Sequence, residues 1–536
     1  MTASEANRAR ASRKQARGSK ARQRWLPALA ALALVLGGSG AAAARTLTAG
    51  SAAAAAGAGW GRAVEVPGLA SLNAGGNARL LSVSCWRAGY CSAGGFYTRR
   101  LGYQQAFVVT ERDGRWGKAA EVPGSAALNA GGNAEVLSVS CVSGGFCAAG
   151  GYYTDHGKDT RGFLATGRAG HWNAAREVPG LAALNSGGDD AQVSTVSCAA
   201  GGYCAAGGYF DGVAVCQDCG GGPYTQNSQG FVVTERGGRW GDAQVPPGLA
   251  ALNTGQNAAI TSISCPSAGN CAAGGYYQTD VMDADDGNPD EAFVVSHASS
   301  RWGTAEELPG SDALNGGWDA SVLSVSCPSA GNCAAGGYLQ PNQDMDCDPP
   351  GASPPALNCE GSFVANARNG RWGDARYPAY PGMSQVSSVS CSSAADCSAG
   401  GYSINLSNDV ILPEVMTERS ARWGTPAPIP GIPALFRSVK GNQSKVISLS
   451  CWSPGNCGAG GYYSDDFNGH GQVFVASERD GRWGAAKEAP GTAALNLGKI
   501  DQITAVSCTR PRTCTAVGFY TDHSGHTQAF AGGEAE

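Results

Sequence analysis

The sequence predicts an all-β fold, a single eight-bladed β-propeller built from four-stranded blades. A pair of cysteines separated by five residues recurs eight times after residue 59, and one tryptophan precedes each pair. Successive tryptophans lie 51 to 70 residues apart, which is the length of one four-stranded blade. The 536 residues include 80 glycines and only 15% charged residues, while 43% are hydrophobic, which excludes a disordered chain. The tryptophans are Trp60, Trp116, Trp172, Trp240, Trp302, Trp372, Trp423 and Trp483.

Each unit shows the pattern of four antiparallel strands. In the first unit, residues 80–85 alternate in polarity and predict the inner strand, and residues 91–97 predict the second strand. Residues 106–110 form the third, and the fourth opens at Trp116. The turn before this tryptophan contains Asp-Gly, Asn-Gly or Gly-Gly in several units, pairs that tolerate the positive φ of primed hairpin turns.

The two ends of the repeat region complement each other. The first tryptophan strand, residues 60–66, has no earlier strand to pair with, and the last unit lacks a tryptophan strand. If the first strand completes the last blade, the ring closes and no terminal blade face is exposed. Two smaller propellers or another all-β array remain as alternatives to this ring of residues 60–536.

The N-terminal residues predict export. Residues 1–44 carry eight basic residues and one acid, a net charge of +7 that leaves -12 on the remainder of a chain of net charge -5. An apolar run and an Ala-x-Ala site follow the basic stretch, which is typical of a secretory signal peptide. An uncleaved membrane anchor is the alternative, since the run is just long enough to span a bilayer. Residues 45–59, rich in Ala and Gly, are predicted to be a flexible linker.

The recurring cysteine pairs predict disulfides. Two cysteines that face each other across a short hairpin loop reach bonding distance, and an exported protein meets an oxidising environment. Zinc is the weaker interpretation, because the spacing is not the C-x2-C of zinc sites. The pairs are Cys85/Cys91, Cys141/Cys147, Cys198/Cys204, Cys265/Cys271, Cys327/Cys333, Cys391/Cys397, Cys451/Cys457 and Cys508/Cys514. Two further pairs in long insertions, Cys216/Cys219 and Cys347/Cys359, are predicted to bond as well.

The turn before the fourth strand carries a family resemblance. Thr-Glu-Arg-Asp-Gly-Arg-Trp at 110–116, and its echo Ser-Glu-Arg-Asp-Gly-Arg-Trp at 477–483, resemble a degenerate Asp-box (BNR-like) hairpin of sialidase-like propellers, with the spacing one residue short. The repeat, with Val-Ser-Cys-Pro-Ser-Ala-Gly-Asn-Cys at 325–333, is also similar to exported Cys-pair repeat proteins of actinobacteria. This resemblance covers residues 60–530 and implies an exported propeller.

The variable loops of one face are the predicted binding region. In a propeller, the connections between second and third strands share a face with the blade-to-blade connections, and here they hold insertions at 211–229, 278–291 and 340–361. Six aromatic residues end the second strands on that face and are candidate ligand contacts, although packing between blades is the alternative. They are Tyr97, Tyr153, Phe210, Tyr277, Tyr463 and Tyr520.

Other features of this face are weaker candidates. No cofactor is expected, and calcium is a weak candidate for the acidic loop Asp280, Asp283, Asp285, Asp286, Asp290 and Glu291. A histidine cluster is a further possibility, from His156, His470, His523 and His526. The recurring Ala-Leu-Asn segments predict asparagine turns.

The predicted function is a non-catalytic binding or scaffold propeller that is secreted or anchored outside the cytoplasmic membrane. Its expected partner is a glycan or an extracellular protein, and the expected state is a monomer. A sialidase-like glycoside hydrolase or lyase is the alternative, and it requires a convergent cluster of acids, arginines and a tyrosine at the channel mouth. Nucleic acid is not expected, because phosphate binding needs clustered cations and the exported part carries -12.

Overall fold

The computed structural model confirms an eight-bladed propeller of four-stranded blades. It describes residues 60–533 except 187, 189, 213–226, 281–288, 316–318, 341–360, 379–382, 406–409, 437–442, 465–470, 499 and 511–512. The leader and linker at 1–59 therefore lie outside the described residues. So do Cys216, Cys219, Cys347, Cys359, His470, Asp283, Asp285 and Asp286.

Each blade runs outward from an inner strand that carries the first cysteine. The inner strands are Ala78–Arg87, Ala134–Val142, Ala191–Ala199, Ala258–Ser267, Asp319–Ser329, Gln385–Ser393, Ser444–Ser453 and Asp501–Cys508. The second strands are Tyr90–Thr98, Phe146–Thr154, Tyr203–Gly212, Asn270–Gln278, Asn332–Gln340, Asp396–Asn405, Asn456–Ser464 and Cys514–Thr521. The third strands are Gln104–Arg112, Thr160–Arg168, Asn227–Arg236, Asp290–Ala298, Gly361–Arg368, Val410–Arg419, Gly471–Arg479 and Thr527–Gly533.

The fourth strand is broken into two short pieces that both pair with the third strand. Its first piece is an Arg-Trp or His-Trp dipeptide: Arg115–Trp116, His171–Trp172, Arg239–Trp240, Arg301–Trp302, Arg371–Trp372, Arg422–Trp423 and Arg482–Trp483. The second piece is Ala120–Glu121, Arg176–Glu177, Glu306–Glu307, Ala427–Pro428 and Lys487–Glu488 in blades 1, 2, 4, 6 and 7. In blades 3 and 5 it is a single bridge, made by Gln244 and by Arg376.

The N-terminal segment closes the ring, as predicted. Val64–Glu65 is the outer strand of the last blade, where Val64 lies opposite Ala531 and Glu65 opposite Phe530. The amide of Val66 donates to the carbonyl of Ala529 at 3.1 Å. The eighth blade therefore takes its first three strands from residues 501–533 and its fourth strand from Val64–Glu65.

A glycine pair in the second strand explains how closely the blades pack. A Cβ at Gly95 would lie 1.9 Å from the carbonyl oxygen of Arg79, and one at Gly94 would lie 2.4 Å from a methyl carbon of Val136 in the next blade. No residue with a side chain fits at either position. The Gly-Gly of these second strands is thus needed for both sheet pairing and blade contact.

The hairpin turns have the predicted conformation. Asp113 and Gly114 have φ values of 50° and 72°, which is the positive φ at both central positions of a type I′ turn. Ser299-Ser300 adopts the same conformation without glycine, with φ values of 49° and 69°. The turn geometry is therefore retained even where the acidic residue is lost.

Short helices connect the blades, and a glycine with positive φ precedes most of them. They are Leu69–Leu72, Ser125–Leu128, Leu181–Leu184, Leu249–Leu252, Ser311–Asn315, Ile432–Leu435 and Thr492–Leu495. A 3-10 turn at Arg100–Gly102 lies between the second and third strands of blade 1. The asparagine after such a helix fixes the turn into the inner strand. Asn253 donates to the carbonyl of Ser228 at 2.9 Å and accepts from the amide of Asn257 at 2.8 Å.

All eight predicted hairpin cysteine pairs are disulfides, with S–S distances of 1.97 to 2.10 Å. Each bridge joins the inner and second strands of one blade. Such a set of disulfides is typical of proteins that fold in an oxidising compartment. Within the described ranges, no helix has the length and apolar character needed to cross a membrane.

The second cysteine of each pair is buried between neighbouring blades. The Sγ atom of Cys147 lies 3.9 Å from the hydroxyl of Ser92 in the preceding blade, and that of Cys457 lies 3.4 Å from the hydroxyl of Ser398. These second cysteines are 0 to 5% exposed, so they are structural residues of the blade core rather than residues that a ligand can reach. They are Cys91, Cys147, Cys204, Cys271, Cys333, Cys397, Cys457 and Cys514.

A ring of serine hydroxyls joins neighbouring inner strands, and sequence reasoning missed it. The serine just before each cysteine accepts a hydrogen bond from the amide of the equivalent cysteine in the next blade, at 2.9 to 3.0 Å. The recurring Ser-Cys dipeptide carries the signal, although nothing in it indicates a partner in another blade. These serines are Ser84, Ser140, Ser197, Ser264, Ser326, Ser390, Ser450 and Ser507.

Candidate functional site

The six aromatic residues predicted as a ligand rim are buried inside the sheets, at 2 to 5% exposure. Three of the hydroxyl groups donate to glutamates of the broken fourth strand: Tyr97 to Glu121 at 3.0 Å, Tyr277 to Glu307 at 3.3 Å and Tyr520 to Glu65 at 3.1 Å. In these three blades, the contacts hold the fourth strand close to the second strand. A ligand contact by these six side chains stays a prediction. The buried set is Tyr97, Tyr153, Phe210, Tyr277, Tyr463 and Tyr520.

Four tyrosines at the strand position just before that of the six residues carry accessible aromatic surface. Tyr152, Tyr209, Tyr276 and Tyr338 belong to four consecutive blades and are half-buried. Each lies directly opposite an inner-strand residue, as Tyr152 lies opposite Glu135. We call these four residues the tyrosine arc. The burial of the six predicted residues fits the alternative of packing between blades, and the accessible aromatic surface lies one residue earlier in the strand.

Arc tyrosines interact electrostatically with nearby carboxylates and with one another. Burial raises the pKa of Tyr209 to about 12, with further contributions from Asp190, Asp211 and Tyr276. Burial also raises the pKa of Tyr338 to about 12, assisted by Asp290, Asp319 and Tyr276. The arc thus presents neutral phenol groups beside acidic side chains over the physiological pH range.

Burial favours the protonated form of two carboxyl groups in this region, those of Asp290 and Glu135. Burial and the charge of Asp319 raise the pKa of Asp290 to about 7. The amide of Asp290 donates to the carboxylate of Asp319 at 3.0 Å. This contact joins the start of the third strand of blade 4 to the start of the inner strand of blade 5. Burial likewise raises the pKa of Glu135. The region can therefore accept hydrogen bonds from a ligand and lose negative charge below neutral pH.

Cations cover the aromatic residues outside the arc. The guanidinium of Arg79 lies 4.3 Å from the centre of the Phe519 ring, and the ammonium of Lys445 lies 3.8 Å from the centre of the Tyr402 ring. Phe519 and Tyr402 are consequently buried, and so is Phe96. The aromatic surface is left open over blades 2 to 5 and in blade 7, where Tyr462 is half-buried.

One set of inner-strand positions bears on the sialidase-like alternative, which requires clustered acids, arginines and a tyrosine. The inner-strand residues opposite the first aromatic of each pair include one arginine. They are Arg79, Glu135, Gln192, Ala259, Ser321, Gln385, Lys445 and Gln502. Of these eight positions, one carries a guanidinium, Arg79, and one carries an ammonium, Lys445.

A cleft of about 860 Å³ opens at a different place, between the first and last blades on the disulfide face. Its lining includes Arg62, Arg87, Glu111 and Trp116. The hairpins of both blades and the segment 61–67 form its walls. No sequence motif predicts this cleft, because it forms only where the first and last blades meet.

Several residues predicted to bind a metal make hydrogen bonds within the protein. Across the described ranges, no three His, Cys, Asp or Glu side chains come together in a group that could hold a metal ion. Of the acidic loop, Asp280 accepts from the hydroxyl of Thr254 at 3.0 Å, and Glu291 accepts from Asn315 at 2.9 Å. His526 lies in the turn after Asp522, whose carboxylate accepts its backbone amide at 3.0 Å. Calcium binding stays untested.

Comparison with known proteins adds little beyond the fold. No family model and no curated protein matches the chain. Among solved structures, it is similar to a polysaccharide lyase described as an ulvan lyase, with a TM-score of 0.39 at 9% identity over 74% of this chain and 91% of that one. An acylaminoacyl peptidase from Pyrococcus horikoshii gives 0.41 at 8% identity over 85% and 60%. The hemagglutinin-neuraminidase of parainfluenza virus 5 gives 0.35 at 9% over 77% and 89%. Similarities this low carry no conclusion about ligand or activity.

Proposed function

We propose that this chain is an exported, non-catalytic binding propeller that recognises a glycan through the tyrosine arc. The observation that supports the proposal most directly is the set of four half-buried tyrosines on consecutive blades with carboxylates between them. The C–H faces of a sugar ring pack on aromatic faces, and its hydroxyl groups donate to carboxylates. Both kinds of contact need a rigid support, and a closed ring of sheets provides it.

The charge of the arc narrows the ligand class. Asp190, Asp211, Asp290 and Asp319 act on the arc tyrosines. An acidic glycan would be repelled by these carboxylates, and a phosphate backbone would be repelled in the same way. We therefore propose an uncharged glycan or one that carries free amino groups.

The location fits the same proposal. Eight disulfides support folding outside the cytoplasm, and residues 1–44 have the pattern of a signal peptide or an anchor. We propose that the chain belongs with the exported Cys-pair repeat proteins and that its hairpins are degenerate Asp-box turns. We favour binding over glycoside hydrolysis because, among the eight described inner-strand positions opposite the first aromatic of each pair, one is an arginine, Arg79.

A glycan and cell-wall polymer array with the purified chain tests the proposal. We expect binding to uncharged or amino-containing glycans, and loss of that binding in Tyr209→Ala and Tyr276→Ala. Tyr277→Phe is the matched control, because its ring lies inside the sheet. An array without glycan binding, combined with capture of one extracellular protein, would replace the glycan by a protein ligand. Release of reducing sugar from a bound glycan would contradict the non-catalytic role.

A further inference from the structure

A buried carboxyl group without a partner lies in the cleft at the closing seam. Glu111 is 6% exposed and lines the cleft of about 860 Å³. It makes no hydrogen bond or ion pair with any residue that the structure describes, and its Oε2 is fully shielded. A cleft of this size is within the usual range for ligand sites. Buried carboxylates are almost always paired, so Glu111 needs an explanation.

At two of the three other seams with a glutamate at this strand position, the carboxylate binds donors of the preceding blade; at the third, Glu235 in blade 3 accepts from the backbone amide of Gly238 in its own hairpin. Glu418 occupies the same strand position in blade 6 and accepts from Arg368 at 2.7 Å and from Asn366 at 2.9 Å, both in blade 5. Glu478 in blade 7 follows the same rule. It accepts from Thr417 at 3.3 Å and lies 3.9 Å from the guanidinium of Arg419, both in blade 6.

At the closing seam the described part of the third strand offers no side-chain donor, and the hydroxyl of Thr515, at the position from which Ser398 donates to Glu478, lies 3.5 Å from the Sγ atom of Cys91. Thr110, Asn366 and Thr417 occupy one strand position, opposite the residue that follows the second cysteine. In the last blade that position is Gly533, which lies opposite Thr515. A glycine has no hydroxyl or amide to offer, and a Cβ there would meet nothing nearer than the carbonyl oxygen of Cys514 at 3.9 Å. Gly533 and Glu111 both line the cleft.

We propose that this cleft binds the guanidinium group of an arginine side chain from a polypeptide partner, with Glu111 as its carboxylate. The inference goes beyond the proposed glycan site, since the cleft lies on the opposite, disulfide face. Its basis is internal to the molecule: the same carboxylate at two other seams accepts hydrogen bonds from the preceding blade and pairs with an arginine of it. Trp116 lines the cleft and offers an aromatic ring on which a planar guanidinium stacks.

The arginines at the rim leave Glu111 free for a ligand. Arg87 stacks on the ring of Tyr90 with its guanidinium carbon 3.6 Å from the ring centre, and the Tyr90 hydroxyl donates to Asp113. Burial alone raises the pKa of Glu111 to about 7, with no contribution from any arginine. Rim charges in water are screened within about 8 Å at physiological ionic strength, so a hydrogen-bonded ion pair inside the cleft dominates them.

Titration calorimetry at pH 8 with short peptides tests this inference. The probes are acetyl-Gly-Arg-Gly-amide and the same peptide with citrulline, which keeps the shape and removes the charge. We expect the arginine peptide to bind with a Kd in the millimolar range and at least about tenfold more tightly than the citrulline peptide. Glu111→Gln should abolish that difference, while Glu478→Gln, at a filled seam, should preserve it.

A second variant guards against loss of folding. Gly533→Thr places a hydroxyl where Thr417 stands in blade 6 and should weaken arginine binding about tenfold while keeping the fold. Equal binding of the two peptides by the wild-type chain, no binding up to about 20 mM, or full discrimination in a folded Glu111→Gln protein would each overturn the inference. None of these results depends on the tyrosine arc, so the glycan proposal is tested separately.

Discussion

The backbone amide of Cys85 donates a hydrogen bond to the hydroxyl of Ser507 at 3.0 Å, although 422 residues separate them in the chain. The same contact joins every other pair of neighbouring blades, for example the amide of Cys265 to the hydroxyl of Ser197 at 2.9 Å. The closing seam is therefore built like the seven that join consecutive blades. The ring is held at its axis by eight serine hydroxyls and in each blade by a disulfide.

Ser507→Ala should lower the free energy of unfolding by about 1 kcal/mol, the usual net contribution of a hydrogen bond whose loss leaves a backbone donor unpaired. Ser264→Ala should have the same effect, because its hydroxyl accepts from Cys327 at 2.9 Å. Urea unfolding followed by tryptophan fluorescence measures both. Ser524→Ala, at an exposed turn, is the control. If Ser507→Ala left the free energy of unfolding unchanged while Ser264→Ala lowered it, the closing seam would be open in solution.

Replacing both Cys265 and Cys271 by alanine should destabilise the chain by about 2 kcal/mol, the loop-closure value for so short a loop. Peptide mapping without reduction should recover every hairpin pair as a bonded unit, each with a sequence separation of six. Thermal unfolding with and without a reductant measures the combined effect. Recovery of these cysteines as free thiols in the exported protein would contradict the disulfide framework.

Tyr276→Ala should reduce affinity for the array-identified glycan at least about tenfold, because an aromatic stacking surface is lost from the arc. Tyr277→Phe should leave affinity unchanged and lower stability modestly, since it removes the hydrogen bond to Glu307. Both are measured by titration calorimetry and urea unfolding. The reverse pattern would support the rim of buried aromatics over the arc.

Glu111→Gln should become increasingly stabilising as pH rises from about 5 to 8. The folded-state pKa of Glu111 is about 7, above that of an unfolded glutamate, so the wild-type fold is favoured at low pH and weakens as the group ionises on the way through 7. The amide variant removes this cost. Melting temperatures of both proteins across the range measure it, and we expect a difference of about 1 to 3 kcal/mol at pH 8. A constant difference at all pH values would refute a raised pKa.

Much of the architecture could be predicted from the chain because each blade repeats the same local rules. The Cys pairs fix the first hairpin, the Asp113-Gly114 type of turn fixes the second, and the lone strand at 60–66 requires closure. These features depend on residues close together in sequence or on a count of strands.

The candidate sites were less predictable because they depend on contacts between blades. Tyr152 and Tyr153 both suit a strand end, and only the packing of the next blade decides that Tyr153 is buried at 4% exposure. Glu111 looks like every other glutamate of its repeat until Gly533 is placed beside it. Long-range pairing of this kind leaves no periodic signal in one sequence.

Hydrogen–deuterium exchange of the whole exported chain tests the closed ring most directly. Residues 64–65 pair with 530–531, and the amides of Gly61 and Val66 donate to the carbonyls of Gly533 and Ala529, so we expect both segments to exchange as slowly as 106–112 and 120–122 in blade 1. A chain that begins at Gly68 should lose protection at 527–533 and keep it in blades 3 to 5. Exchange of 61–66 at the rate of an unstructured peptide, with all other strands protected, would contradict the account.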